Sequence, residues 1–415
     1  MKEINSFDAI VIGVGSMGSA TCYYLAKRGY KVLGLEQFDI SHELGSHTGQ
    51  SRIIRKAYFE HSDYVPLMER AYENWGQIES ETGEQLYYKT GLLYAGNSAN
   101  EMIKGVKLSA SLYNIEMEQL NIADASHRFP QLSFPNDFEI LFEPDAGFLP
   151  PERSIRLYAA QAQKHGAIIH SNEKVIEWKK EGAGIVIKTD KGVYFCNKLI
   201  ITSGAWAGKM IPGFSSKIKV TRQFIAWIKT RNDQQFALHK FPCWMIGDAD
   251  KHGCFYGFPL LDTKKFGEPA GLKLAHHFPA QVTDPDNVNR QTTEDDLKNI
   301  KYCLDKYLPG VFDSVLHTKI CLYGNSPDEN FIIDKLPGYE ENVSIACGFS
   351  GHGFKFASVV GEILADLAID GKTDLSIEFL NAKRFAVKNS IERCVLPSVA
   401  RSARISPTTE ANLKP

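Results

Sequence analysis

No run of roughly 18 apolar residues occurs in this 415-residue chain, so no membrane-spanning helix is expected. Neither sign of charge dominates. Lys and Arg number 47 against 49 Asp and Glu, a net charge of −2, which removes the electrostatic case for nucleic acid or an anionic membrane as partner. The eight cysteines (positions 22, 196, 243, 254, 303, 321, 347 and 394) are scattered and contain no C-x-x-C. That argues against a structural zinc site and a disulfide framework, so no metal is expected and a reducing, cytoplasmic setting is. Met1 to Ser6 lacks the basic and apolar regions of a secretory leader, and Asn412 to Pro415 is no peroxisomal address. There is no internal repeat and no low-complexity tract. The remainder is ordinary globular composition, 43% apolar and 23% charged, at a length that suits two domains.

What is present begins at Phe7 to Glu36, FDAIVIGVGSMGSATCYYLAKRGYKVLGLE. Ala9 to Ile12 is an apolar, β-branched run that reads as a buried parallel strand. Gly13, Gly15 and Gly18 follow at G-x-G-x-x-G spacing, then a helical pattern to Lys27 and Arg28 that Gly29 ends, then a second strand, Lys31 to Leu35. In a dinucleotide fingerprint the first glycine allows the tight turn. The second admits a pyrophosphate, and the third lets helix and strand pack closely. The helix N-terminus attracts phosphate, and Glu36 can accept from a ribose hydroxyl while repelling a 2′-phosphate, which disfavours NADP. The fingerprint does not choose FAD from NAD.

The polar stretch Ser41 to Arg55 carries Arg52 and Arg55 around Ile53 and Ile54. The stretch reads either as a solvated loop or, with cations pointing the same way and the isoleucines as anchors, as a site for a carboxylate substrate. Helices are expected over Ser62–Glu81, Ala99–Tyr113, Pro151–Gly166 and Glu294–Tyr307. Strands are expected at Tyr87–Tyr94, with Gly91 inside, at Phe138–Phe142, and as a meander over Lys174–Ser203. The run Leu199 to Ile201 ends in Ser203-Gly-Ala-Trp206, either a second backbone approach to the cofactor or an ordinary turn. After a polar connector, Asp262 to Ala270, Lys273 sits between Leu272 and Leu274. On a strand it faces opposite to them, away from the core or into a cavity. Lys319–Tyr323 reads as a short strand and Phe331–Asp334 as another. The strand Val343–Ala346 then runs into Cys347-Gly-Phe-Ser-Gly-His-Gly-Phe-Lys355 and a helix to Ile369. Two strand–glycine turn–helix units, one near each end, fit a large cofactor better than NAD, because the second can meet the electron-rich end of an isoalloxazine ring.

From about Phe7 to Leu380 the chain resembles the monomeric sarcosine oxidase and N-methyltryptophan oxidase family of flavin-dependent amine oxidases. The likeness is carried by FDAIVIGVGSMGSA, GSHTGQSRIIRKAY, FYGFP, GLKLAHH, CLYGNSPDENFIID and CGFSGHGFKFASVVGEIL. NSPDENFIIDKLPG looks closer to the N-methyltryptophan branch. The resemblance implies an α/β fold with a Rossmann-like FAD-binding domain assembled from 1–88, 149–220 and 324–390. A mixed, largely antiparallel β-sheet substrate domain comes from 89–148 and 221–323, and a tail is left at 391–415. It implies FAD held covalently through Cys321 and Lys273 over the flavin ring promoting its reaction with oxygen. Arg55 and Lys355 clamp the substrate carboxylate and Arg52 lies beside the flavin. Tyr256, Tyr323, His277 and Met245 line the substrate cavity. The cofactor wall takes in Gly13, Gly15, Ser16, Met17, Gly18 and Glu36, then Ser46, His47, Thr48 and Ser51. Val175, Ser203, Gly204 and Trp206 follow, with Gly348, Gly351, Gly353 and Phe354 from the last turn. Two features depart from the family: Thr48 stands where a second histidine follows His47, and the connector before Lys273 is longer.

The reaction so implied is oxidation of a secondary or tertiary amino acid at the carbon attached to nitrogen. The imine hydrolyses to aldehyde and amine, and oxygen leaves as hydrogen peroxide. Sarcosine, N-methyltryptophan, pipecolate and glycated amino acids all fit as substrates, and a monomer is expected. The rival readings are an FAD dehydrogenase with another electron acceptor and a flavin-binding redox sensor without turnover. The clustered cations Arg52, Arg55, Lys273 and Lys355 argue against the sensor, which does not need them.

Overall fold

Ala9 to Ile12 are buried without a break, and the strand that contains them, Asn5–Ile12, has parallel neighbours on both sides, Val32–Leu35 and Val193–Ile201. A strand covered on both faces and both edges explains why the run is apolar throughout rather than alternating. The computed structural model describes residues 5–277 and 281–385; the expected tail at 391–415 and the stretch 386–390 lie outside the described residues.

The sheet around Asn5–Ile12 has eight strands. Ile168–His170 lies beyond Val32–Leu35 on one side. On the other, the meander strands Gly184–Thr189 and Val175–Glu181 follow Val193–Ile201, antiparallel. The upper end of Val193–Ile201 also takes Val343–Cys347 in parallel, and Ile332–Lys335 pairs with that strand antiparallel. Both glycine turns therefore leave parallel strands, one on each side of Val193–Ile201, at their C-terminal ends, where open α/β sheets bind ligands. The helices that follow the turns, Ser16–Lys27 and Ala357–Ile369, share one hydrophobic core with helix Tyr64–Thr82, and Trp75 of that helix donates from Nε1 to the Lys355 carbonyl at 2.9 Å.

The second eight-stranded sheet runs, in order, through Phe312–Asn325, Lys219–Thr230, Leu272–His277, Cys254–Gly257, Cys243–Gly247, Leu92–Asn97, Phe138–Glu143 and Glu118–Leu120. Every pairing is antiparallel except that between Cys243–Gly247 and Leu92–Asn97. The mixed, largely antiparallel sheet expected beside a Rossmann-like one is thus what the chain forms. Alternation divides its strands cleanly. Leu272 and Leu274 enter the core with Ala226, Ile228 and Trp244, while Ala275 packs with Ile225, Trp227, Cys321 and Tyr323 on the other face. Lys273, His277 and Cys321 belong to that second face by the same period.

Two expected elements are corrected. Tyr87–Tyr94 is not one strand: Tyr88–Lys89 joins a three-stranded sheet with Gly147–Leu149 and Arg52–Ile54, whereas Leu92–Asn97 joins the large one. Gly91 makes the break at φ +70°, and a Cβ there would lie 2.1 Å from the Phe142 ring. The strand expected at Lys319–Tyr323 extends over Phe312–Asn325, because its whole length pairs with Lys219–Thr230. Strand Glu118–Leu120 and helix Ile122–Arg128 were not legible as such. Among the described residues no helix is long and apolar enough to cross a membrane, and no cluster of His, Cys, Asp or Glu could hold a metal ion.

Candidate flavin and substrate site

A single cavity of about 350 Å³ meets both glycine turns and the second face of the antiparallel sheet. At the first turn Gly13, Gly15, Ser16 and Met17 line it. The helix starting at Ser16 has no side-chain cap, so its first N–H groups remain for a ligand. A Cβ at Gly15 would meet nothing within 4 Å, whereas one at Gly18 would lie 1.9 Å from the Gly13 carbonyl oxygen. Gly15 is therefore the open approach and Gly18 the packing contact behind it. Glu36 lines the cavity while its carboxylate accepts from Val14 N at 2.9 Å and Phe38 N at 3.1 Å. Burial pushes its pKa up to about 7 against those backbone donors.

The other cofactor-wall residues fall into two groups. Ser46, His47, Arg52, Val175, Ser203, Gly204, Trp206, Gly348, Gly351, Gly353, Phe354 and Lys355 all face the cavity. Gly18, Thr48, Ser51, Lys273 and Cys321 do not line it; they stand just behind its wall. Two buried polar atoms on cavity-lining residues, His47 Nε2 and Ser203 Oγ, have no hydrogen-bond partner, and neither has Thr48 Oγ1 behind them. An unmet buried group costs ~1–3 kcal/mol, so a polar ligand in the cavity suits His47 and Ser203. Free helical N–H groups, orphaned polar atoms and a buried acid after the second strand together fit FAD.

On the sheet face, Met245, Tyr256, His277 and Tyr323 line the same cavity. His277 Nδ1 lies 3.1 Å from the Tyr323 hydroxyl, and burial lowers its pKa to about 4, so the ring is neutral near pH 7. The second glycine turn packs hard on this group: a Cβ at Gly351 would sit 2.2 Å from the Tyr323 ring. Cys321 is buried among Ile225, Trp227, Ala275 and Tyr323. Burial raises its thiol pKa, while Arg52 and Lys273 pull it down.

Arg52 and Arg55 both reach the cavity, but their partners differ. Arg52 donates to the carbonyls of Ser46, Thr48 and Ser51, bracing the loop that carries His47. Arg55, only 2% exposed, binds the Glu60 carboxylate through Nη2 at 2.8 and 2.7 Å and donates through Nη1 to the Ala57 carbonyl at 2.8 Å. Lys355 donates to the His352 carbonyl at 2.7 Å, and burial, with Arg55 adding to it, lowers its pKa to about 7. Burial would raise Glu60, yet Arg55, His352 and Lys355 hold its carboxyl down at about 2. The two expected clamp cations thus face an internal carboxylate. Glu60 carried no signal in the sequence. His352, which bridges the Tyr58 hydroxyl at 2.5 Å and the Glu329 carbonyl at 3.0 Å, lay inside the quoted GFSGHGFK motif without being singled out.

Comparison with known proteins agrees with this geometry. The FAD dependent oxidoreductase family model matches residues 8–367. Monomeric sarcosine oxidase of Bacillus sp. (strain NS-129) is 38% identical over 92% of this chain and 98% of that protein. N-methyl-L-tryptophan oxidase of Salmonella enteritidis PT4 is 33% identical over 92% of this chain and 99% of that protein. Among solved structures, the open form of NikD, an unusual amino acid oxidase essential for nikkomycin biosynthesis, superposes with a TM-score of 0.77 at 23% identity, covering 91% of this chain and 97% of that one. L-proline dehydrogenase from P. horikoshii gives 0.76 at 23% identity over 92% and 98%, and these two show the fold. A cavity that joins both glycine turns, a Rossmann-like sheet and relatives of that identity over nearly the whole chain lead to one conclusion: the protein belongs to the FAD dependent oxidoreductase family, in its sarcosine oxidase and N-methyltryptophan oxidase group.

Proposed function

We propose that the protein oxidises an N-substituted amino acid, secondary or tertiary, at the carbon attached to nitrogen, with oxygen as acceptor. The observation that carries the reading is that Arg55 and Lys355, both buried, share one cavity with the dinucleotide turn and with neutral His277. The named activities of the two relatives support the same class. They do not favour a sensor or a dehydrogenase.

Arg55 and Lys355 bind the substrate carboxylate. Because Arg55 Nη2 already holds Glu60, a substrate carboxylate that takes this place leaves Glu60 to the neighbouring charge of Lys355. Neutral His277, its Nδ1 engaged with Tyr323, adds no charge to the cavity, and the buried cations Arg55 and Lys355 disfavour a further ammonium there, so the site favours the substrate in its reactive neutral-amine form. Tyr256 and Met245 bound the space left for the substrate side chain. The chemistry that FAD supplies when bound is two-electron oxidation of the carbon–nitrogen bond, with oxygen reduced to hydrogen peroxide. Gly13 to Met17, Glu36, His47 and Ser203 hold it, and Cys321 is the residue for covalent attachment. Lys273 supplies fixed positive charge for the reaction with oxygen. The balanced charge, the scattered reduced cysteines and the name of the first relative support a cytoplasmic monomer.

Anaerobic mixing with sarcosine, N-methyltryptophan, pipecolate and a glycated amino acid tests the activity: at least one should bleach the flavin, and re-admitted oxygen should restore it with peroxide formed. No bleaching by any of them would refute the reading. Acid precipitation tests attachment: yellow colour should stay in the pellet for the wild type and leave it for Cys321→Ala.

A further inference from the structure

Glu152, the second residue of helix Pro151–Lys164, belongs to no motif. Its carboxylate accepts from Gly49 N at 2.7 Å and from Gln50 N at 3.2 Å. The opposite side of the same short loop points its carbonyls at Lys273. Nζ donates to Gly49 O and Ser51 O, each at 2.5 Å, and to Ser51 Oγ at 3.2 Å. Three acceptors match the three N–H donors of an ammonium; a neutral amine has two. The peptide unit joining Gly49 and Gln50 therefore stands between an acid and a base, its N–H toward Glu152 and its C=O toward Lys273. We propose that Glu152 is a positioning residue for Lys273, fixing the loop whose carbonyls grip the lysine and supplying the counter-charge that keeps it an ammonium.

The charges around Lys273 fit. Burial and Arg52 drive its pKa well down, and Glu152 is the foremost group opposing them, ahead of the thiols of Cys321 and Cys243. The rings of Trp227 and Phe258 face Nζ and carry no charge. Glu152 is itself held below its ordinary pKa: burial raises it, but His47, the backbone donors and Arg52 outweigh that. Glutamine at 152 keeps one acceptor oxygen, enough for Gly49 N and Gln50 N, while it removes the charge and turns the second oxygen into a donor.

The test is a double-mutant cycle on the full-length protein, with Glu152→Gln, Lys273→Met and both together, melted between about pH 7 and pH 10. Losing Glu152 lowers the folded pKa of Lys273 further below its unfolded value. The destabilisation is then fully present at the acidic end and fades as pH rises through the wild-type folded pKa. The loss of Tm in Glu152→Gln should therefore shrink with rising pH, and this pH dependence should be absent in the Lys273→Met background. A loss equal at every pH, or the same pH dependence in both backgrounds, would overturn the inference.

The catalytic half of the inference rests on the oxygen role proposed above for Lys273. Reoxidation of photoreduced enzyme by oxygen, free of substrate, reads it. Lys273→Met should slow reoxidation by ~10²–10³, and Glu152→Gln should move the pH at which reoxidation begins to fail at least tenfold toward acid in proton concentration. Lys273→Met reoxidising like wild type would refute the oxygen role alone, since the melting cycle does not depend on it. An unmoved pH profile in Glu152→Gln, with Lys273→Met slow, would refute the role of Glu152.

Discussion

The turn at Phe7–Glu36 and the wall at Arg55, Glu60 and Lys355 face the same cavity and are built in opposite ways. The turn is backbone. Its function lies in N–H groups left uncapped and in a Gly18 too close to Gly13 for any side chain, with orphaned polar atoms on His47 and Ser203 across from it. It waits for a ligand to satisfy it. The wall is charge already satisfied, with Arg55 Nη2 on both Glu60 oxygens and Lys355 on the His352 carbonyl. It must exchange a partner to bind anything. A resident cofactor and a substrate that turns over call for these two designs, because unmet donors hold tightly while exchanged ion pairs release.

The sharpest way to break the contrast is Arg55→Ala. It strands the Glu60 carboxylate, and removing one partner of a buried pair costs ~3–5 kcal/mol. A large fall in Tm is expected, together with loss of substrate-induced bleaching at any practical concentration. Adding Glu60→Gln should recover much of the Tm and none of the binding. If Arg55→Ala melted like wild type, the pair would not be the closed unit described here.

Gly18→Ala probes the other design and should cost less in stability, ~1–3 kcal/mol of overpacking, because helix and strand can shift. Its effect should appear in cofactor retention. Made in a Cys321→Ala background, where no covalent bond masks the loss, it should give protein that loses flavin on gel filtration while the single Cys321→Ala variant keeps it. Equal retention would mean that the close contact behind Gly15 does not set the cofactor site.

The same contrast explains what could be read from the sequence. The turn was legible down to Gly13, Gly15, Gly18 and Glu36 because its parts lie within one strand–helix–strand unit, where spacing is geometry. The face carrying Lys273 and His277 was half legible. Period-two alternation put Lys273 opposite two leucines, but left it facing away from the core or into a cavity until strand Lys219–Thr230 set Trp227 beside it. Glu143 and Glu152 carried no signal, since their meaning comes from distant partners, and Glu60, five positions from Arg55, stands at no helical or strand spacing that would pair the two. Glu143 accepts from Lys56 N and Ala57 N, 87 and 86 positions away, and Glu152 from Gly49 N, 103 positions away. Gly91 misled for a related reason: a strand that changes sheets looks continuous until Phe142 is seen against the glycine.

The smallest effect, and the finest test of the exchanging wall, is pH. Lys355 titrates near 7, whereas its neighbours Glu60, His352 and His277 sit at about 2, 3 and 4. Across the neutral range Lys355 is thus the group in the clamp that changes charge. A short aliphatic carboxylate, followed by its perturbation of the flavin spectrum, should bind progressively more weakly above about pH 7, by at most ~tenfold per unit. Lys355→Met should bind weakly at every pH and lose that limb. Stability should move the other way. The unfolded chain holds the Lys355 proton up to its ordinary 10.5 while the folded chain releases it from about 7, so raising pH through that interval favours the fold. A carboxylate affinity that stayed flat from about pH 6 to pH 9 would place Lys355 outside the clamp and leave Arg55 to exchange partners alone.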